Sequence, residues 1–196
     1  NISVTDTNAD ETNLLNSLSD NTTFLMVGTI EPRKGHAQTL ESFEMLWKRN
    51  IDVNLVIVGK KGWMVDDFIQ KLTTHPELNK HLFFLEAISD DLLNKIYASS
   101  DALIAASQAE GFGLPLIEAA QHKLPIIARD IPVFHEVASS YAYYFKDTQN
   151  PADLFSAIQD WLKLYETKSH PLSDDMPYLL WEQNAKELLS IFTGTL

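Results

Sequence analysis

The sequence predicts an α/β fold, a doubly wound, Rossmann-like parallel sheet, on three observations. Short apolar runs rich in Val, Ile, Leu and Phe recur along the chain. Amphipathic stretches at helical spacing separate them, and glycine follows two of the runs, at Gly28 and Gly59. Strands that alternate with helices in this way build a parallel sheet covered on both faces, which is why each strand reads as a continuous apolar run.

Taken in order, residues 24–28 are an apolar run ending in Gly28, the first strand. From residue 35 to about 49, Leu40, Phe43, Leu46 and Trp47 recur at helical spacing with charges between them, which predicts a helix. Residues 54–59 contain Leu55-Val56-Ile57-Val58, a second buried strand, and residues 64–72 a helix that ends at a turn near His75-Pro76. A third strand is expected over 81–85, a helix over 90–99, and a fourth strand over 102–106. Pro115 suits the first turn of a helix, expected over 115–123. A fifth strand follows over 124–128, a short helix over 133–139, a last strand over 141–145 and a helix over 152–165. Residues 178–192 also read as helical. The first 20 residues are polar and turn-rich and begin with Asn rather than Met. They read as a linker or the start of a fragment, ahead of one domain over 21–177 and a terminal helix over 178–196.

Composition narrows the function. A chain of 196 residues is long enough for one well-buried domain. Its formal charge of −12 disfavours nucleic acid and anionic lipid as partners, because both need clustered Lys and Arg. There is no cysteine, hence no disulfide framework and no thiolate zinc site. With no charged-then-apolar leader and no apolar run of spanning length, the expected location is cytoplasmic.

In sheets of this class, ligands bind beyond the carboxyl ends of the strands. Segments 28–34, 59–62, 86–89 and 107–113 all follow strands and are expected to converge on one rim. There, residues 110–118 read Glu-Gly-Phe-Gly-Leu-Pro-Leu-Ile-Glu, two carboxylates flanking a glycine-rich turn into a helix. The helix start presents free N–H groups and partial positive charge to an anion such as a diphosphate. Carboxylates only accept hydrogen bonds, and vicinal sugar hydroxyls offer donors in pairs. Two polyols flanking one phosphate group, a sugar and a ribose, fit that arrangement. Arg33 and Lys34, just ahead of a helix, add cations suited to a diphosphate. Each of these charges also has a bland reading as a solvated side chain at a helix end, and Phe112 reads equally well as core.

Residues 110–118 resemble the E-x7-E motif of the retaining GT-B glycosyltransferases of family 4, also called glycosyltransferase group 1. Val27-Gly28-Thr29-Ile30-Glu31-Pro32-Arg33-Lys34-Gly35 resembles the same family's phosphate-binding segment, and the likeness runs from about Phe24 to about Asp160. The resemblance implies the C-terminal, nucleotide-sugar-binding half of a GT-B enzyme. It implies that Arg33 and Lys34 hold the diphosphate and Glu110 the donor-sugar hydroxyls, the catalytic set of this half. Glu118 would hold the ribose, with Gly28, Phe112, Gly113 and Leu114 near sugar and phosphates. Glu86, Ala87 and Ile88 would meet the base through their backbone. Many relatives carry Arg where this chain has Thr29, so Lys34 keeps its counterpart more clearly than Arg33 does.

The implied reaction moves a hexose from a nucleoside-diphosphate sugar to a saccharide or lipid-linked acceptor with retention. GDP-mannose is the first donor expected, because residues 31–35 and 131–136 resemble bacterial polysaccharide mannosyltransferases. No metal and no cofactor beyond the donor is implied. The family's catalytic histidine and acceptor site belong to an N-terminal domain of the same polypeptide, so this fragment alone is expected to be inactive. A UDP-hexose transferase, a sugar-nucleotide epimerase and a non-catalytic sugar-nucleotide-binding module remain as alternatives. Other motifs fail. A Walker A loop starting at Gly28 meets Arg33 where glycine is needed, and a dinucleotide fingerprint starting at Gly111 meets Leu116. The six histidines show no metal-ligand spacing and read as surface or loop residues.

Overall fold

The computed structural model describes residues 8–178. Six strands form one sheet: β1 (Thr22–Val27), β2 (Val53–Val58), β3 (Leu82–Leu85), β4 (Ala102–Ala105), β5 (Ile126–Arg129) and β6 (Ala142–Phe145). Their order is β3-β2-β1-β4-β5-β6, and every pairing is parallel. The order reverses between β1 and β4, the switch point where such sheets open a crevice. β1 and β2 run in step from Thr22 opposite Val53 to Val27 opposite Val58, so their carboxyl ends finish level.

Successive side chains of a strand point to opposite faces, and both faces here are apolar. Leu25, Val56 and Val58 join one core with Leu92, Ile96, Leu116 and Phe134. Those partners come from α4 (Asp90–Ala98), α5 (Leu114–Gln121) and α6 (Pro132–Ala138). Phe24, Met26, Leu55 and Ile57 join the other core with Leu40, Phe43, Leu72, Ile158 and Trp161. This second layer is α2 (His36–Trp47), α3 (Asp66–Thr73) and α7 (Pro151–Glu166).

One expectation is corrected. Instead of a linker, residues 8–19 form helix α1 (Asn8–Ser19). Leu14 and Leu18, four apart on one face, are 8% and 1% exposed and join the core beside Leu92 and Ile96. Lys95 pairs with Glu11 across the contact, and the buried Asn54 donates to the Ser17 carbonyl at 3.1 Å. The stretch carries so few apolar residues that composition alone hides the helix; the narrow leucine stripe is what tertiary packing uses. The helix expected over 178–192 lies outside the described residues, apart from Tyr178.

Candidate functional site

The loop after β1 is pinned to its neighbours before any functional side chain appears. Gly28 N–H donates to Val58 O at 2.9 Å and Ile30 N–H to Lys60 O at 2.9 Å, so the loop leaves the sheet alongside the β2 loop. It then makes one 3₁₀ turn, Pro32–Lys34, and enters α2 through Gly35 at φ 76°. A Cβ on Gly35 would lie 2.3 Å from the carbonyl oxygen of Ala106, so only glycine allows the loop to press on the end of β4. Gln108 N–H closes the contact on Arg33 O at 2.8 Å.

That contact assembles the charged cluster. Lys34 Nζ bonds Glu110 Oε1, and Ser107 Oγ donates to the same oxygen at 2.7 Å. Arg33 reaches Glu110 Oε2 at 3.4 Å, donates to Ala109 O at 2.9 Å, and pairs through Nε with Glu31 at 3.0 Å. The Glu110 and Lys34 side chains are only 11% and 16% exposed. Burial pushes the Glu110 carboxyl up. The hydrogen bonds from Lys34 and Ser107, with the charges of Lys34 and Arg33, outweigh it and hold the pKa below the ordinary value. Glu110 is therefore a carboxylate, and the three residues expected to serve opposite ends of one ligand hold one another.

Gly113, at φ 89°, starts α5, with Pro115 in its first turn. Lys34, His36, Ser107, Glu110, Gly113 and Phe134 line a narrow cleft of about 20 Å³ at the carboxyl ends of β1 and β4. Glu118 is engaged elsewhere: it accepts a hydrogen bond at 2.7 Å from the Tyr97 hydroxyl of α4, whose ionisation burial and the carboxylate both oppose. Glu86 is exposed and accepts from the Lys61 N–H at 3.2 Å, Ala87 has φ 53°, and Ile88 packs against the core. Phe112 and Leu114 are 54% and 50% exposed, so Phe112 lies at the rim and the core reading of it is wrong. A much larger hollow, about 530 Å³ between α2 and α3, is lined by Glu44, Trp47, Lys71 and His75 and contains none of these residues.

Several contributors went unread in the sequence. Ser107 follows the fourth apolar run without a motif to mark it. His36, read as a surface histidine, is 3% exposed at the first position of α2, and its Nδ1 has no partner among the described residues. Burial and then the Lys34 charge depress its pKa to about 4, so the ring is neutral. Arg129, the last residue of β5, is fully buried. Its Nε donates to Ala106 O at 3.0 Å and its other nitrogens bond Gln38 Oε1 and Thr148 O. Gln38 Nε2 in turn donates to Thr148 O and Asn150 O, both at 3.0 Å. This buried network ties β4, α2 and the loop before α7 together directly beneath the charged cluster. A lone arginine ending an apolar run was the only signal for it.

Comparison with known proteins gives the family and the fold. The family described as Glycosyl transferases group 1 matches residues 10–173, and the chain belongs to that family. It is 56% identical over 176 residues to the serotype-specific mannosyltransferase WbdA of Escherichia coli, covering 90% of this chain and 22% of WbdA. The O-antigen chain mannosyltransferase RfbU of Salmonella typhimurium is 32% identical over 130 residues, 66% of this chain and 35% of RfbU. The chain thus spans about a fifth to a third of the length of these relatives. Among solved structures, HepE from Anabaena in complex with UDP and glucose superposes with a TM-score of 0.73 at 15% identity, over 97% of this chain and 53% of HepE. The C-terminal domain of the group 1 protein LpcC from Francisella tularensis gives 0.66 at 21% identity, over 79% of this chain and 81% of that domain. The fold is that of the GT-B C-terminal half. Among the described residues no helix is long and apolar enough to cross a membrane.

Proposed function

We propose that this group 1 glycosyltransferase domain is the donor-binding half of a mannosyltransferase. It would take GDP-mannose and transfer the sugar, with retention, to a saccharide or lipid-linked acceptor in polysaccharide synthesis. The observation that carries the reading is the convergence of Arg33, Lys34 and Glu110 beside the start of α5, from loops 76 and 77 residues apart in sequence. The mannosyltransferase relatives support the donor. Lys34 and Arg33 take the diphosphate, with the α5 N-terminus adding its partial charge. As the sugar–phosphate bond lengthens, negative charge grows on the diphosphate, and fixed cations stabilise it more in the transition state than in the ground state. Glu110 accepts from hydroxyls of the sugar. Glu118 accepts from the ribose, and the backbone of residues 86–88 meets the base. Binding needs no metal, and the acceptor-binding domain and a cytoplasmic location belong to the same reading.

Calorimetry with GDP, UDP and GDP-mannose, each with and without EDTA, tests it. The expected result is nucleoside diphosphate binding that survives EDTA, with GDP preferred. Preference for UDP redirects the donor to a UDP-hexose. Binding lost in EDTA refutes the metal-free site, and failure of all three ligands refutes the donor reading.

A further inference from the structure

Among the described residues five large apolar side chains are exposed: Trp63, Met64, Phe112, Leu114 and Leu172. Trp63, Met64 and Phe112 lie on the loops that follow β2 and β4, and Leu114 opens α5, on the same rim as the charged cluster. Single exposed apolar residues are ordinary, but four gathered at one rim mark a contact surface. Trp63 and Met64 are the most deliberately placed, at 56% and 80% exposure. The chain is anchored on both sides of them. Gly62 N–H donates to Ile30 O at 3.0 Å, and Ile30 and Lys61 form a parallel bridge. On the far side Val65, 6% exposed, is packed in the core and its carbonyl accepts from Ile69 N–H at 2.8 Å. Met64 between them sits at φ 53°, a conformation few non-glycine residues adopt. A segment held this firmly, with an indole turned to solvent, is a preformed platform rather than a loose loop.

Its polar surroundings say what the platform suits. A Cβ on Gly62 would lie 2.8 Å from Cγ of Glu31, so the Glu31 side chain runs beside the residue before Trp63. Glu31 is the partner of Arg33, which itself contacts Glu110. The platform therefore adjoins the donor cluster on its Glu31 side. Asp66 and Asp67 in the first turn of α3 follow directly, with Asp66 paired to Lys61. An exposed apolar ring next to paired charges of both signs, Glu31 with Arg33 and Asp66 with Lys61, fits a neutral pyranose. The sugar's C–H face covers the indole, and its hydroxyls donate to acceptor-only groups. The core of a protein interface is depleted of such charges, which makes a partner protein the poorer fit.

We propose that Trp63, with Met64 and the flanking carboxylates, is a saccharide-binding platform for the acceptor chain, placed on the donor domain itself. This inference rests on the transferase reading for the word acceptor, whereas saccharide binding by Trp63 is independently measurable. The test is an NMR titration of the indole N–H signals of the 196-residue chain with short manno-oligosaccharides, in the presence and absence of GDP. Trp63→Phe identifies the signal, and calorimetry compares Trp63→Ala with the parent. The expected result is a shift confined to the Trp63 signal and a loss of saccharide affinity of roughly tenfold or more in Trp63→Ala, with GDP affinity unchanged. An unmoved Trp63 signal overturns the proposal, as does equal saccharide affinity in Trp63→Ala. So does self-association that Trp63→Ala abolishes without touching saccharide binding, which would make the patch a protein contact. If GDP and UDP both fail to bind while the Trp63 signal still responds to saccharide, the transferase reading fails and the platform stands.

Discussion

Replacing Glu110 by Gln should make plain GDP bind more tightly, not less. In the free domain the carboxylate already occupies both cations that the diphosphate needs: Lys34 bonds its Oε1, and Arg33 approaches its Oε2 at 3.4 Å. A diphosphate entering the cleft must displace Glu110 from Lys34, so part of its binding energy is spent breaking that ion pair. A charge-assisted hydrogen bond contributes about 1.5–3 kcal/mol, but exposed pairs give at most about 1 kcal/mol. With Lys34 and Glu110 16% and 11% exposed, the pair lies between these limits, and the Ser107 bond at 2.7 Å holds the displaced carboxylate in place. About 1 kcal/mol is a conservative figure, corresponding to roughly fivefold in affinity. Gln keeps the shape and accepts from Ser107 but offers Lys34 no charge. The same substitution should weaken GDP-mannose relative to GDP, because the sugar loses its charged acceptor. Calorimetry with both ligands on the parent and on Glu110→Gln reads the two effects separately, after thermal melts confirm that both are folded. Equal or weaker GDP binding by the variant would show that the ion pair does not compete with the ligand. An unchanged ratio of GDP-mannose to GDP would remove Glu110 from the sugar.

Lys34→Ala should weaken GDP and UDP about tenfold to a hundredfold while leaving the bare nucleosides nearly unaffected; calorimetry with equal loss for both would assign Lys34 to the fold. Glu118→Gln should weaken GDP and GDP-mannose alike, because the ribose is common to both, and a loss confined to the sugar conjugate would exchange the roles of the two glutamates. Arg129→Met should lower stability by about 3 kcal/mol, seen in denaturant melts, because Gln38 Oε1 and the Ala106 carbonyl lose their buried donor and Thr148 O keeps only Gln38. His36 makes stability fall with acidification: the unfolded chain takes up its proton near 6.5 and the folded domain only near 4. That penalty grows as pH drops between these values, to on the order of 3 kcal/mol, and is complete below them. His36→Asn should flatten this part of the stability profile, and an unchanged slope would show that the ring already has a partner for its charged form.

The fold was legible because parallel strands buried on both faces cannot be disguised. Residues 55–58 and 82–85 offer no polar side chain to any face, and the helical stretches between them carry their apolar residues on one stripe. Strand ends moved by a residue or two where the pattern ran past the last pairing, as at Ala106, or stopped short of it, as at Arg129. Helix α1 was missed for the opposite reason. Leu14 and Leu18 are too few to register as a pattern, yet they suffice once the sheet supplies a surface. A helix of that length is marginal alone and is decided by packing, which no local window contains.

The site was half legible, and the division follows sequence distance. Motifs placed Arg33, Lys34 and Glu110 on one rim, since each follows a strand and parallel strands end together. What they do to each other was not readable, because the Lys34–Glu110 and Arg129–Gln38 pairs join residues 76 and 91 apart. Neither is implied by the local chemistry of either partner. The consequence reaches function: from the motif alone, Glu110 and Lys34 appear as independent contacts whose removal should add. The ion pair makes them coupled, so the double variant Lys34→Ala with Glu110→Gln should depart from additivity in GDP affinity. With Lys34 gone, Glu110→Gln has only the weaker Arg33 contact left to release. Its gain should therefore shrink from about fivefold toward none. A full fivefold gain retained in the Lys34→Ala background would mean that the carboxylate repels the diphosphate through space, and the pairing would then be incidental to binding.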